Sequence, residues 1–328
     1  MAGTKLSQVL INIKGKEATN LFFNPIFMDR DLEPLFTFIP SVPSKRDMYF
    51  VKKLENIVRK AGGCGFEVTG NTEIFQRPFQ TYRQRVGVTM CYDELVDTAL
   101  QELLNKGVDM DNIEGTLLAE VLMERVMEGI MLDNQKLRWF GDVDSTNPNY
   151  DSTDGFWKWI ELAVAEGETP RYDSGTGALT PGAGQLILQE VYDQQSDVLY
   201  GLPDSEKKFM VSKSVYQQYK QDLKTFGGGD AGLNFNINGQ QVVAFEGIEV
   251  IEQRRWTNIL GDLGDDKVNR AIQTTPQNLL VGSDQANAGS AAPSLMTWFD
   301  MTLEKYYVKA LYTYGTQILH PQLISAAY

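Results

Sequence analysis

Histidine is almost missing from this chain: His320 is the single one in 328 residues, and it stands beside Pro321. A Ser-His-Asp arrangement would hang wholly on His320, and no nucleophile-elbow motif accompanies it. Cysteine is nearly as scarce. Cys64 and Cys91 are too few for a disulfide framework, and no Cys-His spacing for zinc occurs, so reduced, buried thiols are expected. Cys64, set among Gly62, Gly63 and Gly65, lacks a nearby base that would make it a nucleophile. Apolar runs are short as well. None approaches the roughly 18 residues of a membrane span, and the start, 1–16, has no secretory-signal pattern. Positive charge is the fourth shortage: 30 Lys and Arg against 43 Asp and Glu give a net −13, which argues against holding a phosphate backbone. Gly227, Gly228 and Gly229 lack the Lys-Ser or Lys-Thr of a phosphate-binding loop. No catalytic residue, cofactor or metal is expected.

What is present is enough apolar residue, 42%, to fill one large or two modest domains. The chain is organised around 207–283. Phe209, Met210 and Val211 read as a buried strand, and Ser212 as the cap of a helix with Val215, Tyr216, Tyr219 and Leu223 on one face. A glycine run ends that helix. Strands follow at 241–245, 248–251 and 278–282, with a polar loop at 258–269 whose Asp262, Asp265 and Asp266 make an acidic tip.

Lys208-Phe209-Met210-Val211-Ser212, Phe245-Glu246-Gly247-Ile248-Glu249-Val250 and Thr275-Pro276-Gln277-Asn278-Leu279-Leu280-Val281-Gly282, in this order, resemble the major capsid proteins of tailed bacteriophages. The resemblance implies the Hong Kong ninety-seven fold, an α+β tailed-phage capsid fold. Its parts would be an N-terminal arm (1–47), a helix leading into the peripheral domain (48–65), an extended β-ribbon loop (66–90), a peripheral domain with a long spine helix (91–175), an axial α/β domain (176–283) and closing peripheral strands (284–328). It implies a major capsid protein that self-assembles into pentamers and hexamers of an icosahedral head. That head would be built in the host cytoplasm and become part of the virion. It would enclose double-stranded DNA without sequence-specific binding and involve no membrane. Without a long charged helical prefix, a separate scaffolding protein is implied, with a portal protein and possible decoration proteins as further partners. Some relatives cross-link a loop lysine to a neighbour's asparagine; 66–90 contains no lysine, so that chemistry is not expected.

The remaining residues carry readings of their own. Phe50, Val51, Leu54, Ile57 and Val58 predict a helix over 48–60. Residues 66–90 alternate as polar strands with bends at Gly70-Asn71 and Pro78. Arg77, Arg83 and Arg85 make this ribbon basic, as contact with an acidic neighbour or a plain solvated hairpin would both allow. Asp111 to Glu114 has capping-box form and opens a helix over 113–139, with Leu118, Leu122, Val126 and Ile130 inward. Glu120, Glu124 and Glu128 form its outer row, a solvent or subunit-interface face. Residues 141–154 offer oxygen ligands but miss the EF-hand spacing, so a turn-rich loop is expected over a calcium site. Trp157 and Trp159 suit an interface anchor or the core equally. The alternation over 306–318 predicts a strand buried on both faces. Two other functions remain open: a bacterial nanocompartment (encapsulin-like) shell, marked by a cargo groove, and a carbohydrate-binding or hydrolytic protein using Trp157 and Asp142.

Overall fold

The computed structural model describes residues 35–42, 44–51, 74–91, 117–226, 233–235, 241–284, 296–300, 302–303 and 305–328. Two sheets organise them, and a long strand shows why. In β13 (Lys305–Ile318) every second residue, Val308, Ala310, Tyr312 and Tyr314 among them, is buried on one side. Its first ten residues pair antiparallel with β4 (Tyr82–Cys91), its first five also with β12 (Met296–Asp300), and its last four with β11 (Leu279–Gly282). The short β1 (Thr37–Ile39) then adds parallel to β11, which completes a five-stranded sheet. Against its buried side lies the 24-residue helix α1 (Leu117–Phe140), whose Val126 and Ile130 lie in the same core cluster as Val308, Ala310 and Tyr312. Polar pairs fix the register of helix on sheet: Tyr312 Oη donates to Asn134 Oδ1 at 2.8 Å, and Arg138 Nε donates to Tyr314 Oη at 3.0 Å.

The second sheet has seven strands, in the order β5 (Arg171–Tyr172), β14 (Ser325–Ala327), β10 (Ala271–Thr274), β6 (Lys208–Ser212), β9 (Ile248–Gln253), β8 (Gln241–Phe245) and β7 (Leu233–Phe235). Period-two alternation sorts its side chains. Phe209, Val211 and Val250 face α3 (Ala183–Asp193) and α5 (Lys213–Phe226) through Ile187, Leu188, Val215 and Tyr219. Met210, Ile272 and Ala326 point the other way, into a core shared with the first sheet. That shared core is filled by α2 (Phe156–Ala165) and α6 (Trp256–Leu263). Trp139, Phe156, Trp157 and Trp256 pack there edge to face, with centroids as close as 4.7 Å. α3 is held to α5 through Asp222, whose carboxylate accepts from the N–H groups of Gly182 and Gln185 at the α3 N-terminus.

Several expectations are corrected. Residues 45–51 form strand β2 (Lys45–Val51), where 48–60 was expected to be helical. They pair antiparallel with β3 (Ile74–Gln80): Met48 and Phe50 stand at strand period two, while Phe50 and Val51 also begin the stripe that predicted the helix. Pro78 is no bend but lies inside β3, opposite Asp47; a two-stranded ribbon is all edge and tolerates it. The expected polar tip 258–269 begins in α6, because Trp256, Ile259 and Leu260, three and four apart, are buried. β11 leaves the 207–283 unit for the five-stranded sheet, while β14 of the 284–328 segment joins the seven-stranded one. Residues 52–73, 92–116 and 227–232, with Cys64, the capping box and the glycine run, lie outside the described residues.

The α3–α5 contact depends on Gly184, since a Cβ there would collide with the Tyr219 backbone. Gly184→Ala should therefore force these helices apart at a cost of roughly 1–3 kcal/mol. A urea midpoint equal to that of the parent protein would contradict this packing.

Candidate subunit interface

Of the residues expected at a subunit interface, the structure brings Arg83 and Arg85 together. Both are exposed on β4, two apart and so on one face, while Gln84, Val86 and Val88 alternate toward α1. Arg77 has an internal partner instead: its Nη2 donates to Glu168 Oε2 at 2.7 Å, tying β3 to the turn after α2. The Trp157 reading is corrected toward the core. Trp157 is 2% exposed and its ring meets Phe140, Trp256 and Tyr328. Trp159 is half-buried and its Nε1 donates to Thr316 O at 3.0 Å, which leaves its polar atom engaged. Both tryptophans were ambiguous in sequence because a helix that packs on two layers places apolar residues nearly all round. Glu120, Glu124 and Glu128 lie along α1, and their side chains fall outside the described residues.

β13 carries residues that the sequence reading missed. Residues 312–318 are buried on both faces as expected, but the first half of the strand is not: Lys305, Tyr307 and Lys309 occupy its face away from α1 and stay partly exposed. The signal was present as Lys-Tyr-Lys at two-residue spacing, hidden by the neighbouring aromatics. Between α1, β4 and the 148–152 turn lies a cleft of about 590 Å³ with Val86, Val126, Ile130 and Tyr312 in its floor and Asp133 and Lys136 on its rim.

The 141–154 loop turns out to hold an internal cation. Lys158 Nζ lies 2.5, 2.8 and 2.7 Å from carboxylate oxygens of Asp142, Asp144 and Asp154. Burial disfavours its charge, yet these three hydrogen bonds hold its pKa above the usual lysine value. Burial likewise opposes the Asp142 charge, and Lys158 with the Asp144 N–H outweighs it, leaving that carboxyl below its usual value. Asp154 also accepts from Tyr82 Oη at 2.9 Å and from the Val143 N–H at 3.1 Å. Burial and this carboxylate push the Tyr82 phenol up to about 12. An ammonium thus gathers the acidic side chains of this loop, and among the described residues no group of three His, Cys, Asp or Glu is placed to hold a metal ion. Of the two residues named for a sugar site, Trp157 is buried and Asp142 is paired with Lys158.

No protein-family profile matches the chain, and no curated protein matches its sequence. Solved structures match its shape. The procapsid of satellite phage P4, which includes the size determination (Sid) protein, aligns over 94% of this chain and 98% of its own at TM-score 0.56 and 10% identity. The capsid of the Myoviridae phage XM1 aligns over 90% of each chain at 0.55 and 11%. This is the phage capsid fold. The same capsid fold is matched in the holo-SrpI encapsulin complex of Synechococcus elongatus PCC 7942, over 92% of this chain and 86% of that one, at 0.52 and 12%.

Two outcomes test the pairing described here. Lys158→Met leaves three facing carboxylates, one of them nearly buried, and should cost roughly 1–3 kcal/mol in chemical denaturation; a chelator should leave the unaltered protein's melting temperature in place. His320 is half-buried and its backbone N–H donates to Asn278 Oδ1 at 2.7 Å. Burial, then the Arg77 charge, lowers its pKa below 6.5, so the unfolded chain binds the proton more readily. Stability is then full above pH 6.5 and declines below it, and His320→Asn should flatten that slope between pH 7.5 and 5.5.

Proposed function

We propose that this chain is the major capsid protein of a tailed phage, a structural subunit that builds pentamers and hexamers of an icosahedral head around double-stranded DNA. The observation that supports it is the capsid fold over 94% of the chain, which also spans 98% of the matched P4 procapsid subunit. Chemistry agrees with a container. A net charge of −13 repels packaged DNA rather than gripping it. In this reading the five-stranded sheet with α1 is the peripheral unit, and the seven-stranded sheet with α3 and α5 is the axial unit. The β2–β3 ribbon is the base of the extended loop; of the expected arm, 37–39 belong to the peripheral sheet as β1 and 1–34 lie outside the described residues. A scaffolding protein, a portal and decoration proteins would be its partners, and the virion its location.

A second reading keeps the shell and changes its contents. The encapsulin match and the cleft between α1 and β4 support a nanocompartment that loads protein cargo.

The expected outcome is that purified protein, with its candidate scaffold, gives rings or closed shells by light scattering and negative-stain microscopy. A compact monomer under every condition would sink the shell reading. Shells purified from the native source should contain nuclease-sensitive DNA; protein cargo in its place would select the nanocompartment.

A further inference from the structure

The face of the five-stranded sheet turned away from α1 departs from the rest of this acidic chain. Antiparallel register places directly opposed residues on one face. Arg83 opposes Thr313, Arg85 opposes Leu311, Gly87 opposes Lys309 and Thr89 opposes Tyr307. Trp298 of β12 in turn opposes Tyr307, and Asp300 opposes Lys305. Arg83, Arg85, Lys305 and Lys309 therefore share one surface with a Trp298–Tyr307 pair stacked 5.1 Å apart at an interplanar angle of 6°. Among the described residues none of the four cations has an ion-pair partner, although acidic residues outnumber basic ones by thirteen. With Asp300 the face carries +3. Arginine beside tryptophan and tyrosine is the composition that dominates protein–protein binding energy.

The same chain carries a surface of opposite sign. Around α4 (Asp197–Tyr200) the exposed residues are Asp193, Asp197, Asp204 and Glu206, grouped about a Tyr200 ring that is 66% exposed. Lys207, buried beneath it and 2.9 Å from Asp204, supports the ring and leaves this corner at −3. The basic face sits on the five-stranded sheet and the acidic corner beside the seven-stranded one, so they are different patches. Two different patches that fit each other make a head-to-tail contact, the kind that closes into rings.

We propose that the Arg83/Arg85/Lys309 face of one copy docks on the Tyr200 acidic corner of a second copy. This rests on the shell reading and names the surfaces that would join its subunits. Opposite charge steers the encounter, and the aromatic groups on both sides supply area once water leaves.

The experiment uses the full chain in four forms: unaltered, R83E/R85E, D197K/E206K, and all four substitutions together. All four exchanged residues are exposed, so each form should melt within about 3 °C of the parent. Self-association, followed by light scattering and sedimentation at low salt, should weaken by about tenfold or more in each double variant and return in the combined one. Salt near 0.5 M should weaken the unaltered protein in the same way. Association of both double variants at the parent level overturns the docking while leaving the shell reading intact. Loss in both without recovery in the combined form overturns this pairing of surfaces. If the unaltered protein forms only small oligomers, and these follow the loss-and-return pattern, the docking stands and the shell reading falls. A monomer at every concentration and salt overturns both. Retention of a short DNA duplex that R83E/R85E alone abolishes, with assembly unchanged, would make the occupant nucleic acid and overturn the proposal.

Discussion

The guanidinium of Arg270 is 3% exposed, and a charge so far from water persists only when its donors and its field are both answered. Nη1 donates to Glu161 of α2 at 3.0 Å, Nη2 to Asp265 after α6 at 2.5 Å, and Nε to Lys267 O at 3.2 Å. The cation also lies over Trp157, Phe140 and Tyr328, at 4.5 to 5.5 Å from their centroids. Its neighbours thus come from α1, α2, the α6 turn and the residue after β14, while its own backbone exchanges hydrogen bonds with Ser212 of β6. Those are the elements through which the two sheets share one core. Removing the cation would strip all of them of a common partner at once, which makes Arg270 the point where the two layers are registered to each other.

β13 gives the sheet two chemically different sides. The inner side is satisfied within the subunit, by α1 and by hydroxyl groups that meet Asn134 and Arg138. The outer side is split along its length: Thr313 and Gln317 are covered by the Val42 and Pro78 segments, while Lys305, Tyr307 and Lys309 stay partly exposed beside the Trp298 ring. The Lys158 cage works the opposite way: it closes the 141–154 loop with a cation from the chain itself.

Much of this was legible in the residues. The four-residue spacing of Leu118, Leu122, Val126 and Ile130 gave α1, alternation gave β13, and the succession through 207–283 gave the strand–helix order of β6, α5, β8 and β9. What stayed hidden has physical causes. Phe50 fits a period-two pair with Met48 and a helical stripe with Val51 and Leu54, and only pairing with β3 decides between them. α6 was masked because its few apolar residues sit among Asn, Gly and Asp. Sheet membership of β11 and β14 depends on partners far away in sequence, which no local pattern encodes. The interface candidates were divided for a similar reason. Arg83 and Arg85 sit on a strand whose alternation is clear, whereas the exposure of Trp157 and Trp159 is set by two layers that the helix alone does not reveal.

β14 enters the seven-stranded sheet between β5 and β10, whose residues come much earlier in the chain. Until 325–327 are in place, β10 has an open edge, and Ile272 and Ala271 lack the neighbour that covers them. Such late, long-range strand insertion makes closure slow relative to local helix formation. A nascent subunit therefore holds an unfinished sheet while its earlier helices are already formed. Strand order alone imposes a sequence in time, in which the seven-stranded sheet is completed by a segment that lies far along the chain from its partners.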